Sequence, residues 1–163
     1  MIRMRNFGFG YADKILFEAV NLELNPSGIT LLTGSNGCGK TTLCRIITSL
    51  QSGYSGQILI DQKDRKNLTT PVIAEKILYL KQEPSYNFVG LTAIDNLLCW
   101  EKKFTSSDNE KTKILSLLEN MDLRELSENP VWELSSGQIK RINLIALLLN
   151  QEKYWILDEP FAG

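Results

Sequence analysis

At 163 residues, with 43% hydrophobic and 23% charged positions, the chain is long enough for one globular domain with a hydrophobic core. A formal net charge of −1 gives no electrostatic reason to expect nucleic acid as the main partner. The longest apolar run, residues 144–149, is far shorter than the roughly 20 residues that span a bilayer, and the N-terminus lacks the apolar core of a secretory signal.

The first elements predicted are β-strands over residues 2–9 and 15–24, where apolar residues alternate loosely. Tyr11 lies between them. Its ring could stack on an adenine, although an exposed turn aromatic explains it equally well. The turn at residues 26–28 then leads into a short β-branched apolar run, residues 29–33, which predicts a buried strand.

A glycine-rich loop follows that run and fits the phosphate-binding pattern G-x-x-x-x-G-K-[ST] at every fixed position. Glycines let the backbone N–H groups turn toward a phosphate, and a helix predicted over residues 41–47 adds partial positive charge. The motif places a lysine near the β- and γ-phosphates and a threonine hydroxyl on Mg²⁺. A turn that merely ends a strand is the weaker alternative, because strand, loop and helix agree. We expect the loop to bind a nucleoside triphosphate through Gly34, Ser35, Asn36, Gly37, Cys38, Gly39, Lys40, Thr41 and Thr42.

The three cysteines do not indicate a disulfide framework or a zinc site, because they are odd in number and form no C-x-x-C pair. Cys38 lies inside the phosphate loop, where only a small side chain is required. The cysteine usage fits a reducing compartment.

The middle of the chain predicts a strand at residues 57–61, a polar loop at 61–70 and a buried strand at 77–80. Gln82 follows this last strand, at the edge where α/β sheets place their ligands; a surface glutamine is the alternative. Residues 92–128 read as helical, with a loop and helix start at 106–109. Two apolar stripes support this: Ile94, Leu97 and Leu98, then Ile114, Leu117, Leu118 and Met121.

Residues 134–138 begin the next helix. Its predicted apolar stripe is Ile139, Ile142, Ala146 and Leu149, with Lys140, Arg141 and Asn143 facing elsewhere.

The run at residues 154–157 predicts a buried strand that ends in Asp158 and Glu159. Asp158 can bind Mg²⁺ opposite Thr41, and Glu159 is placed to accept a proton from an attacking water. An Asp-Glu pair after a strand is usually a solvated turn. The phosphate loop upstream favours an active site here.

Together these motifs make the chain resemble an ATP-binding cassette, the nucleotide-hydrolysing domain of ABC proteins. The resemblance covers residues 2–163 and rests on the phosphate loop, the Q-loop at Gln82, the signature at 134–138 and the Walker B segment at 154–159. It implies an α/β P-loop NTPase with an N-terminal antiparallel β subdomain, a mostly parallel core sheet and a helical insert at 91–131. It also implies a single domain over 1–163 and ATP with Mg²⁺ as cofactors.

Residue roles follow from the resemblance. Tyr11 matches the adenine-stacking aromatic, and Gln82 the residue that links Mg²⁺ and the water to a transmembrane partner. Glu159 matches the catalytic base, with Gln82 and Lys40 as further catalytic residues and Thr41, Gln82 and Asp158 as metal ligands.

The resemblance implies a dimer as well. Signature residues of one cassette contact the γ-phosphate bound by the other, so each site is composite. Alone, the same residues would be a helix cap. Ser136 stands where the family most often has glycine; the signature residues are Ser135, Ser136, Gly137 and Gln138.

The sequence ends before the family's D-loop aspartate and switch histidine, and it contains no histidine. In the family, the strand that bears this histidine lies between the phosphate-loop strand and the Walker B strand. Its absence would remove a central strand, so we expect either a fragment of a longer gene product or another element that fills the gap, because two exposed strand edges there would be unsatisfied. We expect this chain to be weakly active at best.

Among cassettes, the chain lacks the long coiled coils of chromosome-maintenance proteins, so a transporter subunit is favoured. Residues 34–37, 91–97, 130–131 and 155–161 resemble the haem exporter ATPase of cytochrome c maturation. The resemblance implies a translocase bound through integral membrane subunits to the cytoplasmic face of the membrane, paired with a second cassette and without nucleic acid. Another cargo, or a non-catalytic ATP-binding dimerisation module, is the alternative.

Overall fold

The computed structural model describes residues 1–100, 108–150 and 154–160, and it divides into two compact units, Met1–Tyr79 and Leu80–Gly163. The first unit contains an antiparallel sheet and two helices. Its elements are β1 (Ile2–Tyr11), β2 (Lys14–Leu24), α1 (Lys40–Ile47), β3 (Ser55–Ile60), β4 (Lys63–Asp64) and α2 (Thr70–Lys76).

The antiparallel sheet has the strand order β2-β1-β3-β4. Ile2 and Met4 of β1 are buried, and so are Phe7 and Phe9 after a register shift. The shift occurs at Asn6, whose φ of 46° lies in the left-handed region that asparagine tolerates. The bulge therefore keeps both halves of β1 facing the core, and the predicted strands at 2–9 and 15–24 are confirmed.

Gly56 allows β3 to pass beside this bulge. Its φ is 74°, and a Cβ built there would clash with the carbonyl oxygen of Asn6. Only glycine combines that φ with such a close backbone approach.

The predicted buried strand at residues 29–33 is wrong. None of the described strands pairs with this segment, and Ile29 and Leu31 are 99% and 82% exposed. An apolar run becomes a strand only when a neighbour accepts its backbone hydrogen bonds.

The region between β3 and β5 is more ordered than the polar loop predicted for residues 61–70. It contains β4 and a 3₁₀ turn at Arg65–Asn67, and α2 begins at Thr70. The side chain of Asp64 accepts a hydrogen bond from the backbone N–H of Lys66, which starts the 3₁₀ turn. Short elements of this kind carry little apolar periodicity, so the pattern could not predict them.

β5 (Ile77–Leu80) crosses the boundary between the units. The second unit then contains α3 (Ala93–Trp100), α4 (Asp108–Glu119), α5 (Ser136–Leu149) and β6 (Tyr154–Leu157). It also has 3₁₀ turns at Pro84–Asn87, Arg124–Leu126 and Val131–Glu133. The predicted loop at 106–109 lies partly outside the described residues, and α4 begins at Asp108.

The three helices of the second unit share one apolar core. The predicted stripes of α3, α4 and α5 all contribute to it, including Leu97, Ile114 and Ile142, which are fully buried. The prediction that Asn143 faces away from the core is wrong, because it is only 3% exposed. The boundaries of a helical insert at 91–131 stay a prediction.

β6 pairs with β5 in a parallel two-stranded sheet. The burial predicted for β6 is wrong, since Trp155 and Leu157 are 41% and 36% exposed and the other two residues are only half-buried. A strand paired on one side leaves part of its apolar surface uncovered. Within the described ranges, no helix has the length and apolar content needed to cross a membrane.

Candidate functional site

The phosphate loop lies on the first unit and ends directly in α1. Lys40 turns back over the loop, where its Nζ donates hydrogen bonds to the carbonyl oxygens of Gly34 at 2.9 Å and Ser35 at 3.3 Å. The N-cap of α1 is Gly39, which has no side chain to cap the first-turn N–H groups. A helix start without a side-chain cap, next to a lysine ammonium, fits an anion.

Gly39 also packs the loop against β2. Its φ is 105°, and a Cβ there would lie 2.9 Å from the Phe17 ring and 3.4 Å from a methyl group of Leu16. The loop therefore approaches β2 more closely than any side chain would permit.

Tyr11 lies at the end of β1, beside the start of α1. Its ring meets Phe9 edge-on with centroids 4.9 Å apart, and its hydroxyl is 3.5 Å from Oγ1 of Thr42. The side chain is 47% exposed. This position is compatible with adenine stacking, which stays a prediction.

Lys14 is a second cation at this loop, and the sequence pattern did not identify it. Its Nζ donates to the carbonyl oxygen of Gly37 at 3.4 Å. The two-residue hairpin turn between β1 and β2 brings Lys14 opposite Tyr11. Only knowledge of this turn could have connected Lys14 with the loop.

In the second unit, Gln82 and Glu159 meet directly. Nε2 of Gln82 donates a hydrogen bond to Oε2 of Glu159 at 2.9 Å. Asp158, beside it, is 4% exposed, and its backbone N–H donates to the carbonyl oxygen of Leu80 at 3.0 Å. The structure therefore brings together three of the predicted site residues at the ends of β5 and β6.

Glu159 has a backbone φ of 51°, in the left-handed region that is costly for a residue with a Cβ. Glu159 lies two residues after the end of β6. Backbone outliers of this kind cluster at functional sites.

Asn87 is a polar residue that sequence reasoning missed. Its Oδ1 accepts from the backbone N–H of Lys81 at 2.9 Å, and its Nδ2 donates to the carbonyl oxygen of Lys81 at 3.3 Å. Asn87 is 5% exposed. No motif marks it, because its role depends on the 3₁₀ turn that folds it back over the preceding loop.

The signature segment caps α5. The hydroxyl of Ser135 accepts from the backbone N–H of Gln138 at 3.3 Å, while Oε1 of Gln138 accepts from the backbone N–H of Ser135 at 2.7 Å. This reciprocal pair is a capping box. Ser136 and Gly137 are exposed, and a Cβ at Gly137 would meet nothing within 4 Å. The cap is thus present and its outer surface is open.

The predicted magnesium ligands are distributed between the two units. Thr41 lies at the start of α1 in the first, and Gln82 and Asp158 lie in the second. Their hydroxyl, amide and carboxylate oxygens are the hard donors that Mg²⁺ prefers. Each of these residues therefore carries an oxygen that suits the ion.

A family model described as ABC transporter matches residues 17–162. The chain belongs to the ABC transporter family. The predicted ABC-type P-loop NTPase fold is confirmed by this match and by solved structures. One such solved structure is that of cbiO1 from Clostridium perfringens, part of the ABC transporter complex cbiONQ, which covers 99% of this chain with a TM-score of 0.78 and 26% identity.

Two curated relatives of this ABC family member serve opposite directions of transport. The cytochrome c biogenesis ATP-binding export protein CcmA of Reclinomonas americana is 31% identical over 153 residues, which is 93% of this chain and 67% of the relative. The spermidine/putrescine import ATP-binding protein PotA of Spiroplasma citri is 32% identical over 164 residues, covering 100% of this chain and 46% of the relative. The chain also spans 66% of the solved cbiO1 chain.

Proposed function

We propose that the chain is the ATP-binding and ATP-hydrolysing part of an ABC transporter. The hydrogen bond between Gln82 and Glu159 carries the proposal, because it joins the predicted water-positioning and proton-accepting side chains in a family member with a complete phosphate loop. Both side chains lie at carboxyl ends of parallel strands, where sheets of this class place ligands.

ATP binding is assigned to the first unit. The loop N–H groups and the start of α1 bind the phosphates, Lys40 supplies a full positive charge to the β- and γ-phosphates, and Tyr11 stacks on the adenine. Lys40 already lies over the loop through its bonds to Gly34 and Ser35, so little side-chain freedom is lost on binding.

Oxygens of Thr41, Gln82 and Asp158 would bind Mg²⁺, which neutralises the charge on the phosphates. Glu159 accepts the proton of the attacking water. Gln82 orients the Glu159 carboxylate through its Nε2 hydrogen bond.

A second cassette completes each site. The open surface beside the capping box of α5 supports this, because Ser135 and Gly137 would contact the γ-phosphate of a partner without rearrangement of the helix start. Ser136 and Gln138 belong to the same surface. A single chain in dilute solution should therefore turn over slowly.

The proposal extends to the membrane subunits that the chain binds and to the cargo that they carry. Similarity to the CcmA relative, together with the resembling residues 34–37, 91–97 and 155–161, supports haem export for cytochrome c biogenesis. Similarity to the import protein PotA supports another cargo. Attachment to a membrane would occur through the partner subunits.

Titration of the chain with ATP and Mg²⁺, and phosphate release measured separately, test the proposal. We expect Lys40→Ala to lose ATP binding, whereas Glu159→Gln retains binding and lowers turnover by about 10²–10⁴-fold. Lys63→Ala, an exposed lysine of β4, is the matched control for the first variant. Binding without phosphate release, even at concentrations that promote pairing, would favour a non-catalytic binding module. Absence of binding would refute the ATPase proposal.

Affinity purification from membranes tests the transporter assignment. We expect integral membrane subunits to co-purify with the tagged chain. Stimulation of ATP turnover by haem in the co-purified complex would support haem export. Stimulation only by a different solute would contradict haem export and indicate another cargo.

A further inference from the structure

We propose that Asn87 is a positioning residue that keeps the Gln82 side chain on the Glu159 carboxylate. The inference rests on the proposed function only for its catalytic consequence. Its structural part depends on hydrogen bonds around the loop at residues 81–89 of the second unit.

The backbone before Gln82 is fixed at two consecutive residues. The carbonyl oxygen of Leu80 accepts the N–H of Asp158 at 3.0 Å, which ties this strand end to the residue preceding Glu159. The backbone N–H of Lys81 then donates to Oδ1 of Asn87 at 2.9 Å, and the carbonyl oxygen of Lys81 accepts from Nδ2 of Asn87 at 3.3 Å. Gln82 therefore leaves the strand from a defined position and direction.

Asn87 is suited to this role because its amide bonds to both peptide groups of one residue. It is 5% exposed, so water competes little for those groups. The 3₁₀ turn that carries it packs against α5. A smaller side chain would leave the peptide groups of Lys81 without these two bonds and free the first residues of the loop.

The far end of the loop is fixed in the same manner. Asn96, which is fully buried in α3, accepts the backbone N–H of Val89 through its Oδ1 at 2.8 Å. The loop between Lys81 and Val89 is thus held at both ends by side-chain amides. Gln82 itself is exposed, so its contact with Glu159 depends on this frame rather than on burial.

Nitrogen-15 NMR of the full chain tests the inference through the resonances of the Gln82 side-chain Nε2 protons. The Gln82→Ala variant identifies these resonances, because it lacks them. In the Glu159→Ala variant, the same resonances give the chemical shift of a Gln82 amide that has lost its bond to Glu159. We expect Asn87→Ala to shift them toward that released position and to speed hydrogen exchange of the Lys81 N–H. Asn120→Ala, an exposed asparagine of the same unit, is the matched control and should change neither signal.

A folded Asn87→Ala variant with wild-type Gln82 resonances would overturn the proposal. Asn87→Asp decides the question if the alanine variant does not fold: the carboxylate keeps the acceptor for the Lys81 N–H but loses the donor, so we expect a partial shift. Unchanged resonances in that variant would also overturn it.

Turnover provides the catalytic readout. If the wild type hydrolyses ATP, we expect Asn87→Ala to lower kcat by about tenfold or more without changing the Kd for ATP, since misplacement affects the chemical step. Unchanged kcat would contradict the positioning role. A wild type that does not hydrolyse ATP would refute the proposed function, while the NMR result would still decide the role of Asn87.

Discussion

Gln82 donates a hydrogen bond from Nε2 to Oε2 of Glu159 over 2.9 Å, although 77 positions separate them in the chain. The contact arises because β5 and β6 are parallel neighbours whose carboxyl ends lie side by side. It orients a carboxylate that is otherwise partly open to solvent.

Gln82→Ala should lower turnover without weakening ATP binding. Loss of the Nε2 donor removes this orienting hydrogen bond from the Glu159 carboxylate, and we expect a decrease in kcat of about tenfold or more. Steady-state phosphate release and an ATP titration measure the two quantities. Gln51→Ala is the control, because its side-chain amide donates to the carbonyl oxygen of the neighbouring Ser52. Equal turnover in both variants would contradict the orienting role.

Gly39→Ala should destabilise the first unit and abolish ATP binding. The substitution forces a Cβ into the left-handed region and against the Phe17 ring. Gly53→Ala is the matched control, since Gly53 has a φ of 88° but a Cβ there meets nothing within 4 Å. We expect the control to cost about 1–2 kcal/mol and Gly39→Ala clearly more. Urea unfolding and ATP titration test this, and equal losses in the two variants would contradict the packing argument.

Ser135→Ala should lower stability by about 1 kcal/mol because it removes the N-cap of α5. Ser135→Asp keeps an acceptor for the Gln138 N–H, so it should restore the free energy of unfolding measured by urea titration. A carboxylate placed toward a partner's γ-phosphate would nevertheless repel it. We therefore expect Ser135→Asp to be stable but deficient in ATP-dependent pairing, measured by sedimentation, whereas pairing equal to the wild type would argue against a phosphate contact.

The exposed apolar segment at residues 29–32 should promote self-association. Ile29 and Leu31 are 99% and 82% exposed, and uncovered apolar side chains of this kind favour association. The double variant Ile29→Lys, Leu31→Lys should reduce nucleotide-independent association in light scattering. Ile15→Lys with Leu50→Lys makes the same charge change at exposed residues outside the segment. A similar effect in both double variants would indicate net charge rather than the segment.

Local patterns predicted most of the elements because periodicity and motif chemistry depend on nearby residues. The stripes of α3, α4 and α5 follow from spacing alone. The segment at 29–33 was wrongly assigned because strand formation depends on a partner, which its own residues do not reveal. Asn87 and Lys14 escaped notice for a related reason: each acts on a backbone group that a turn brings near.

The left-handed backbone conformation of Glu159 makes thermal stability and the proposed activity favour different residues at this position. Glycine or asparagine at this position would relieve the strain that its φ of 51° imposes, yet would remove the carboxylate that meets Gln82. Directed evolution for heat resistance alone would thus drift toward an inactive protein. Recovering the acidic residue from such a library would require selection on ATP consumption.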